Sequence, residues 1–273
     1  TNFINILLEK TSNLSIHIVD KLTYAGNFEN VKVAVNKSNV YFHQVDINDT
    51  DYIFDLIKKN NLDTLVNFAA ESHVDRSISD PDSFIKTNIN GTFSLLQACF
   101  KAWEKNFEIR RFHHVSTDEV YGELQPDELP FEETNPYLPR SPYSASKASS
   151  DHLVRSYHTT YGLPITISNC SNNYGPYQYI EKLIPLTITN LLTGKKVPVY
   201  GDGENIRDWI HVDDHCTGII NIINSKFVGE TFNIGGGAEK TNINLIKDIC
   251  ERVDDKLSQN SKFKETFPNS AIA

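Results

Sequence analysis

Apolar and polar positions change period several times along this chain, and the changes mark out its elements. From Asn2 to Lys10 the residues Phe3, Ile6 and Leu7 share one helical side, so the chain opens in a helix. Leu14 to Asp20 is a short apolar run ending on an acid. Val40 to Val45 is another, ending at Asp46 and Ile47, and a helix through Ile53, Leu56 and Ile57 follows it. Leu62 to Ala70 reads as a strand that is apolar through Leu65-Val66-Asn67-Phe68-Ala69-Ala70. The spacing then predicts one long helix from about Pro81 to Trp103, containing Thr87, Asn88 and Gly91, with Phe93, Leu95, Leu96 and Phe100 as core or subunit interface. Arg110 to Ser116 and Pro164 to Cys170 are further strands. Between them a helix runs from Ser141 to Tyr161 with Leu153, Val154 and Tyr157 inward.

Strands this continuously apolar, alternating with amphipathic helices, indicate a parallel sheet covered on both faces, an α/β doubly wound architecture. Past Pro176 the alternation weakens. A helix from Glu181 to Leu192, a short strand at Val197 to Tyr200, a Gly201-Asp202-Gly203 turn and a strand at Arg207 to Val212 come first. A helix from Asp213 and Asp214 to Ile223, a strand at Thr231 to Ile234, a Gly235-Gly236-Gly237 loop and a helix at Asn242 to Val253 follow. This expectation divides the chain at 1–176 and 177–273, the second part a smaller substrate-binding lobe with some segments returning to the main sheet.

Composition narrows the function. The 273 residues, 39% hydrophobic and 22% charged, are enough for a sizeable core. A net charge of -9 argues against coating nucleic acid, so an anionic ligand needs a local basic site, for which Lys182 and Arg207 are the candidates; a surface ion pair is the ordinary reading of each. Cys99, Cys170, Cys216 and Cys250 form no CxxC pair, which fits reduced thiols in a cytoplasmic protein. No apolar run is long enough to span a bilayer, and no His/Cys cluster suggests a metal; His113 and His114 read as plain strand residues.

The chemistry concentrates between His113 and Lys147. A strand ends in Ser116, Thr117, Asp118 and Glu119, where open α/β sheets bind ligands. Tyr143 and Lys147 stand at i and i+4 on one helical face, and a cation near a phenol favours the phenolate, a base for work near neutral pH. The acid pair alone could as well cap a helix or face water. Asp20 sits where a dinucleotide-binding βαβ unit carries its ribose-binding acid, or it merely starts a turn. The chain contains no Met and no intact GxGxxG, so a first strand and Gly-rich loop are expected upstream of Thr1.

Asp20, Asn67-Phe68-Ala69-Ala70, Ser116-Thr117 and Tyr143-x-x-x-Lys147 together resemble the extended short-chain dehydrogenase/reductase superfamily, which implies a Rossmann-type fold. More narrowly, Asp20-Lys21-Leu22-Thr23-Tyr24-Ala25-Gly26-Asn27, Ala70-Glu71-Ser72-His73-Val74-Asp75, Ser116 to Gly122, Asn169 to Tyr177 and Arg207-Asp208-Trp209 are similar to the dTDP-glucose 4,6-dehydratase family. That resemblance implies NAD as cofactor and a nucleotide sugar, dTDP-glucose, as substrate. It implies Thr117, Asp118, Glu119, Tyr143 and Lys147 as catalytic residues. For NAD it implies Asp20, Lys21, Leu22, Thr23, Asp46, Ile47, Ala69, Ala70, Ser72, Thr87, Ser116 and Asn169, together with Tyr143 and Lys147. For the sugar nucleotide it implies Ser72, Thr117, Asn172, Glu181, Lys182, Leu183, Pro198, Tyr200, Arg207 and Asn242. A homodimer formed through the Pro81–Trp103 and Ser141–Tyr161 helices is implied as well, with neither nucleic acid nor membrane as a partner. A 4-epimerase, or a dehydratase for UDP- or GDP-sugars, would share Tyr143 and Lys147, and a non-catalytic NAD sensor would be expected to lose one of them. The Asp118-Glu119 pair separates dehydration from simple redox. Ile180 departs from the family pattern, and 258–273 matches none of it.

Overall fold

In a computed structural model that describes residues 1–104, 106–125, 128–268 and 270, the elements up to Cys170 include every strand that the apolar runs predict. They are α1 (Asn2–Lys10), β1 (Ile16–Val19), α2 (Glu29–Val35), β2 (Val40–His43), α3 (Thr50–Asn60), β3 (Thr64–Asn67), α4 (Val74–Ser79), α5 (Pro81–Phe84), α6 (Thr92–Ala102), β4 (Arg111–Thr117), α7 (Pro142–Tyr161) and β5 (Ile165–Cys170). Then come β6 (Asn172–Tyr174), α8 (Leu183–Leu192), β7 (Ile206–His211), α9 (Val212–Ile223), β8 (Thr231–Ile234), β9 (Glu239–Thr241), α10 (Asn242–Gln259) and α11 (Ser261–Thr266). Two compact units result. One comprises Thr1, Phe3–Cys170 and Cys216–Ile234; the other comprises Asn2, Ser171–His215 and Gly235–Ala273.

The first unit is a parallel, Rossmann-type α/β fold. Its sheet has the order β3-β4-β5-β8 with every pair parallel. Phe112 on β4 and Ile165 and Ile167 on β5 are fully buried, packed with Ile53 and Ile57 of α3, Leu95, Leu96 and Cys99 of α6, and Val154 and Tyr157 of α7. This burial of aliphatic area is the main force holding the unit together, at roughly 1.5–3 kcal/mol per large side chain. Strands β1 and β2 pair in parallel as a separate ladder, with Ile16 beside Val40 and Val19 beside His43. The β4–β5 register sets Ser116 beside Asn169 and Thr117 beside Cys170, so both strands deliver polar side chains at one carboxyl edge.

Helix α7 begins where its sequence says it must. Ser141 accepts from the Ser144 N–H while Ser144 Oγ accepts from the Ser141 N–H, a reciprocal cap, and Pro142 fills the first turn, where no N–H partner is needed. Gly162 ends it in the left-handed conformation with φ 72°.

The long helix expected from Pro81 to Trp103 is instead three joined segments, with a π turn at Ile85–Gly91 between α5 and α6. Within that turn the Asn88 side chain acts as a peptide surrogate. Its Oδ1 accepts from the Glu71 N–H (2.8 Å), and its Nδ2 donates to Glu71 O (3.0 Å) and Ser146 Oγ (2.8 Å). At the end of the π turn, Gly91 lies so close to Ile47 that an added Cβ would sit 2.4 Å from Ile47 Cδ1.

In the second unit β6 pairs with β7 in parallel and β7 with β9 antiparallel, giving the order β6-β7-β9. The expected strand at Val197 to Tyr200 does not form. Pro198 removes a ladder donor from a run of only a few residues, and Val199 and Tyr200 remain exposed. Conversely, the polar loop expected at Ser171 to Pro176 contains β6, whose Asn172-Asn173-Tyr174 carries no apolar alternation and is a strand because β7 lies beside it. Helix α10 outruns its expected end at Val253 to reach Gln259. The segment 258–273, where the sequence offered no family pattern, carries α11 (Ser261–Thr266); its residues 269 and 271–273 lie outside the described residues.

Candidate active site

The first unit gathers the chemistry at the carboxyl ends of β4 and β5. Thr117 ends β4 and accepts from the Glu119 N–H (3.3 Å), which starts a 3-10 turn over Asp118–Val120. The turn places Asp118 and Glu119 side by side and half-buried, with Thr117 Oγ1 donating to Asp118 Oδ1 at 3.2 Å. Tyr143, in the first turn of α7, hydrogen-bonds the Thr117 side chain and has Glu119, Cys170 and Asp118 as its charged or ionisable neighbours. Its ring meets Phe84 edge-on. Thus Thr117, Asp118, Glu119 and Tyr143 form one cluster.

Electrostatics in the cluster differ from the simple Tyr–Lys expectation. Burial pushes the Tyr143 phenol well up, and the charges of Glu119, Cys170 and Asp118 push it further, against the hydrogen bond to Thr117. Lys147, 3% exposed, turns toward β4 instead: its Nζ donates to Val115 O (2.8 Å) and lies 3.3 Å from His114 Nε2. Burial lowers the Lys147 ammonium, while the charges of Asp151 and Cys170 support it.

Residues expected at a dinucleotide line the same unit. Asp20 follows β1, is exposed, and accepts from the Leu22 N–H through Oδ1 (2.7 Å), as a turn-starting acid does. Lys21 is exposed beside Thr23 and reaches Asp46 Oδ2 (2.6 Å). Asp46 is held below the ordinary carboxylate range because bonds from Lys21 and Asn48 outweigh its burial. Ile47 is buried against Gly91. Ala69 and exposed Ala70 close β3 with no more than a methyl group each, Ser72 is exposed, and Thr87 is half-buried in the π turn. Ser116 and Asn169 are buried, and Asn169 Oδ1 has no hydrogen-bond partner, a polar atom held for a donor.

The remaining candidates are in the second unit. Glu181, Lys182 and Leu183 stand at the start of α8, with Lys182 as its N-cap. Asn172 is on β6. Exposed Arg207 is on β7 opposite Lys240, its Nη1 donating to Ile206 O. Asn242 opens α10, its N–H donating to Asn205 O (3.0 Å), and Pro198 and Tyr200 are exposed in the segment before Gly201. Among the described residues no group of three or more His, Cys, Asp or Glu side chains could hold a metal ion, and no helix is long and apolar enough to cross a membrane.

Two buried side chains beside the cluster escape a reading from motifs. His113 is what a strand histidine should be, bonded to Thr166 and Ser168 across the sheet. His114 points to the other face, where it meets Lys147 and Asp151. The strand period of two places His114 and Ser116 on one face, and Asp151 is four residues beyond Lys147, so both periodicities contained the signal.

The family model described as GDP-mannose 4,6 dehydratase matches residues 1–270. A dTDP-glucose 4,6-dehydratase of Neisseria meningitidis serogroup B is 52% identical over 241 residues, covering 87% of this chain and 68% of the relative. One of Escherichia coli is 49% identical over 265 residues, covering 93% and 73%. Among solved structures, DesIV, a dTDP-glucose 4,6-dehydratase from Streptomyces venezuelae with NAD and TYD bound, superposes with a TM-score of 0.85 at 44% identity, covering 91% of this chain and 76% of that one.

Proposed function

The chain belongs to the GDP-mannose 4,6 dehydratase family, whose model it matches over residues 1–270, and from that footing we propose that it catalyses the NAD-dependent dehydration of dTDP-glucose to dTDP-4-keto-6-deoxyglucose, as a cytoplasmic homodimer. The observation that carries the reading is the Asp118-Glu119 pair on the turn after Thr117, against Tyr143. A simple oxidoreductase or epimerase has no need of two further carboxyl groups there.

Each step has a residue suited to it. Tyr143 takes the C4 hydroxyl proton, with Thr117 on the C4 oxygen. Because burial, Glu119 and Asp118 all oppose the phenolate, a cation must offset them, and Lys147, four residues along the same helix, would be that cation. NAD, when bound, supplies the hydride acceptor for C4 and the hydride donor for C6. The 4-ketone makes the C5 hydrogen acidic; Glu119 removes it while protonated Asp118 gives its proton to the departing C6 hydroxyl, which leaves as water, and Glu119 gives the proton back to C5 when C6 is reduced. Neighbouring carboxyls push their pKa values apart, so one can serve as acid and the other as base at one pH.

For the cofactor, Asp20 and Lys21 to Thr23 would hold the adenosine ribose, where an acid repels a 2′-phosphate and so favours NAD over NADP. Asp46 and Ile47 would flank the adenine, Ala69, Ala70 and Ser72 would let the diphosphate approach the backbone, and Thr87, Ser116, Lys147 and Asn169 would meet the nicotinamide end. Lys182 and Arg207 would take the sugar nucleotide's diphosphate, Pro198 and Tyr200 its base, and Asn172, Glu181, Leu183 and Asn242 the remainder. Dimerisation is supported by the outward apolar residues of the helices expected to form it: Ile85, Phe93 and Tyr161 are each about half exposed. Sedimentation at micromolar concentration should give twice the chain mass, and a monomer would end that part of the proposal.

Incubation with dTDP-glucose and NAD is expected to yield the 4-keto-6-deoxy sugar with no net reduction of the cofactor. Running UDP- and GDP-glucose alongside tests the base. Steady net cofactor reduction, or an epimer as product, would count against dehydration.

A further inference from the structure

Tyr143, Lys147, Asp151 and Arg155 stand four residues apart on α7, and the proposed reaction uses only the first two. Asp151 is wholly buried. Its Oδ2 accepts from Ser116 Oγ (2.8 Å) and from the Tyr137 hydroxyl (3.0 Å), which in turn accepts from Arg155 Nη2 (2.6 Å). Its Oδ1 lies 3.4 Å from His114 Nε2 and has no partner in hydrogen-bonding geometry. A buried carboxylate with an oxygen left to an imidazole is costly unless that imidazole donates.

The hydrogen-bond network decides which nitrogen of His114 carries the proton. Asn67 Oδ1 accepts from the Ala69 N–H, so its Nδ2 must be the group facing Thr92 Oγ1 and His114 Nδ1, each at 3.2 Å. Nδ1 is therefore an acceptor. Burial, then the Lys147 charge, lower His114 to about 4 against the pull of Asp151, so the ring is neutral at neutral pH and its one proton is on Nε2. That proton points among Asp151 Oδ1, Ser150 Oγ (3.3 Å) and Lys147 Nζ (3.3 Å). Ser150 Oγ already donates to Lys147 O, so it can only accept here. An N–H cannot take a hydrogen from the ammonium, which donates to Val115 O instead.

We propose that Asp151 is the positioning residue for Lys147: its buried charge sustains the ammonium in an apolar site, and by drawing the single His114 proton to Nε2 it prevents the ring from capturing a lysine hydrogen. The groups facing Lys147 are His114 from β4, Cys170 from β5, and Asp151 from its own helix; Tyr137 and Arg155 complete the surroundings of Asp151. Ordinary structural tethering of the Tyr137 loop would need the hydrogen bonds of Asp151 but not its charge.

The proposal rests on the dehydratase reading for its kinetic arm only. In Asp151→Asn the acceptor for Ser116 and Tyr137 is kept and the charge is lost. The alkaline limb of the kcat–pH profile of the NAD-loaded enzyme should then move down by about one pH unit, so that well above the limb kcat falls about tenfold further while KM for dTDP-glucose changes little. Long-range ¹H–¹⁵N spectra of protein labelled in histidine should show, in the unmodified enzyme, one neutral imidazole protonated at Nε2 down to below pH 5, absent from His114→Gln and altered in Asp151→Asn. An unmoved limb in Asp151→Asn overturns the proposal, and so does a His114 that is charged or protonated at Nδ1 in the unmodified enzyme, a measurement that needs no variant to fold. If the tautomer is as expected but dTDP-glucose is not turned over, the dehydratase reading fails and the tautomer, with the charge relation it implies, stands.

Discussion

Tyr143→Phe is expected to reduce turnover of dTDP-glucose by about 10²–10⁴-fold, the usual worth of a positioned general base. The surroundings of the hydroxyl set this magnitude. Tyr143 is 9% exposed and its OH reaches Thr117, so no bulk water stands ready to remove the C4 proton in its place. The ring keeps its edge contact with Phe84 in the variant, and only one hydrogen bond is lost, so the cost to stability should be about 1 kcal/mol or less. Rapid-mixing measurement of C4 oxidation isolates the step. Wild-type rates of oxidation in Tyr143→Phe would remove the phenol from its role, whereas a protein that melts far earlier would show that its hydroxyl matters chiefly for packing.

How far this site was legible depends on whether the signal was periodic. The i, i+4 pairing of Tyr143 with Lys147, the Ser141-Pro142 helix start and the apolar runs of β4 and β5 are local, and each survives in the structure. What the Lys147 side chain does is not local. Whether an ammonium points at a phenol or at a strand carbonyl is decided by His114, Asp151 and the burial around them, and burial is a property of the packed sheet. The same holds for the π turn. The Asn88 side chain within it is bonded to the Glu71 backbone and Ser146, and those partners are distant in sequence. Strand β6 and the absent strand at Val197 to Tyr200 fail in opposite directions for one reason: strand formation in so few residues is set by an available neighbour, present for Asn172-Asn173-Tyr174 and forfeited by Pro198.

Glu119→Gln separates the steps that Tyr143→Phe abolishes together. Glutamine occupies nearly the same volume but cannot take the C5 proton, so overall dehydration should fall by about 10²–10⁴-fold. C4 oxidation should persist, and more easily than before. Glu119 is, after burial, the largest influence holding the Tyr143 phenol up. Removing that negative charge lowers the phenol pKa, which raises the phenolate fraction at any given pH, so the acid limb of single-turnover C4 oxidation should move to lower pH. In deuterium oxide the bound sugar should then accumulate as the 4-ketone with little exchange at C5. Rapid C5 exchange in Glu119→Gln would assign the proton to another base, with Asp118 the nearest alternative. An acid limb that stays in place would mean that the coupling between Glu119 and Tyr143, and with it the compactness of the Thr117-Asp118-Glu119-Tyr143 cluster, does not govern the first step.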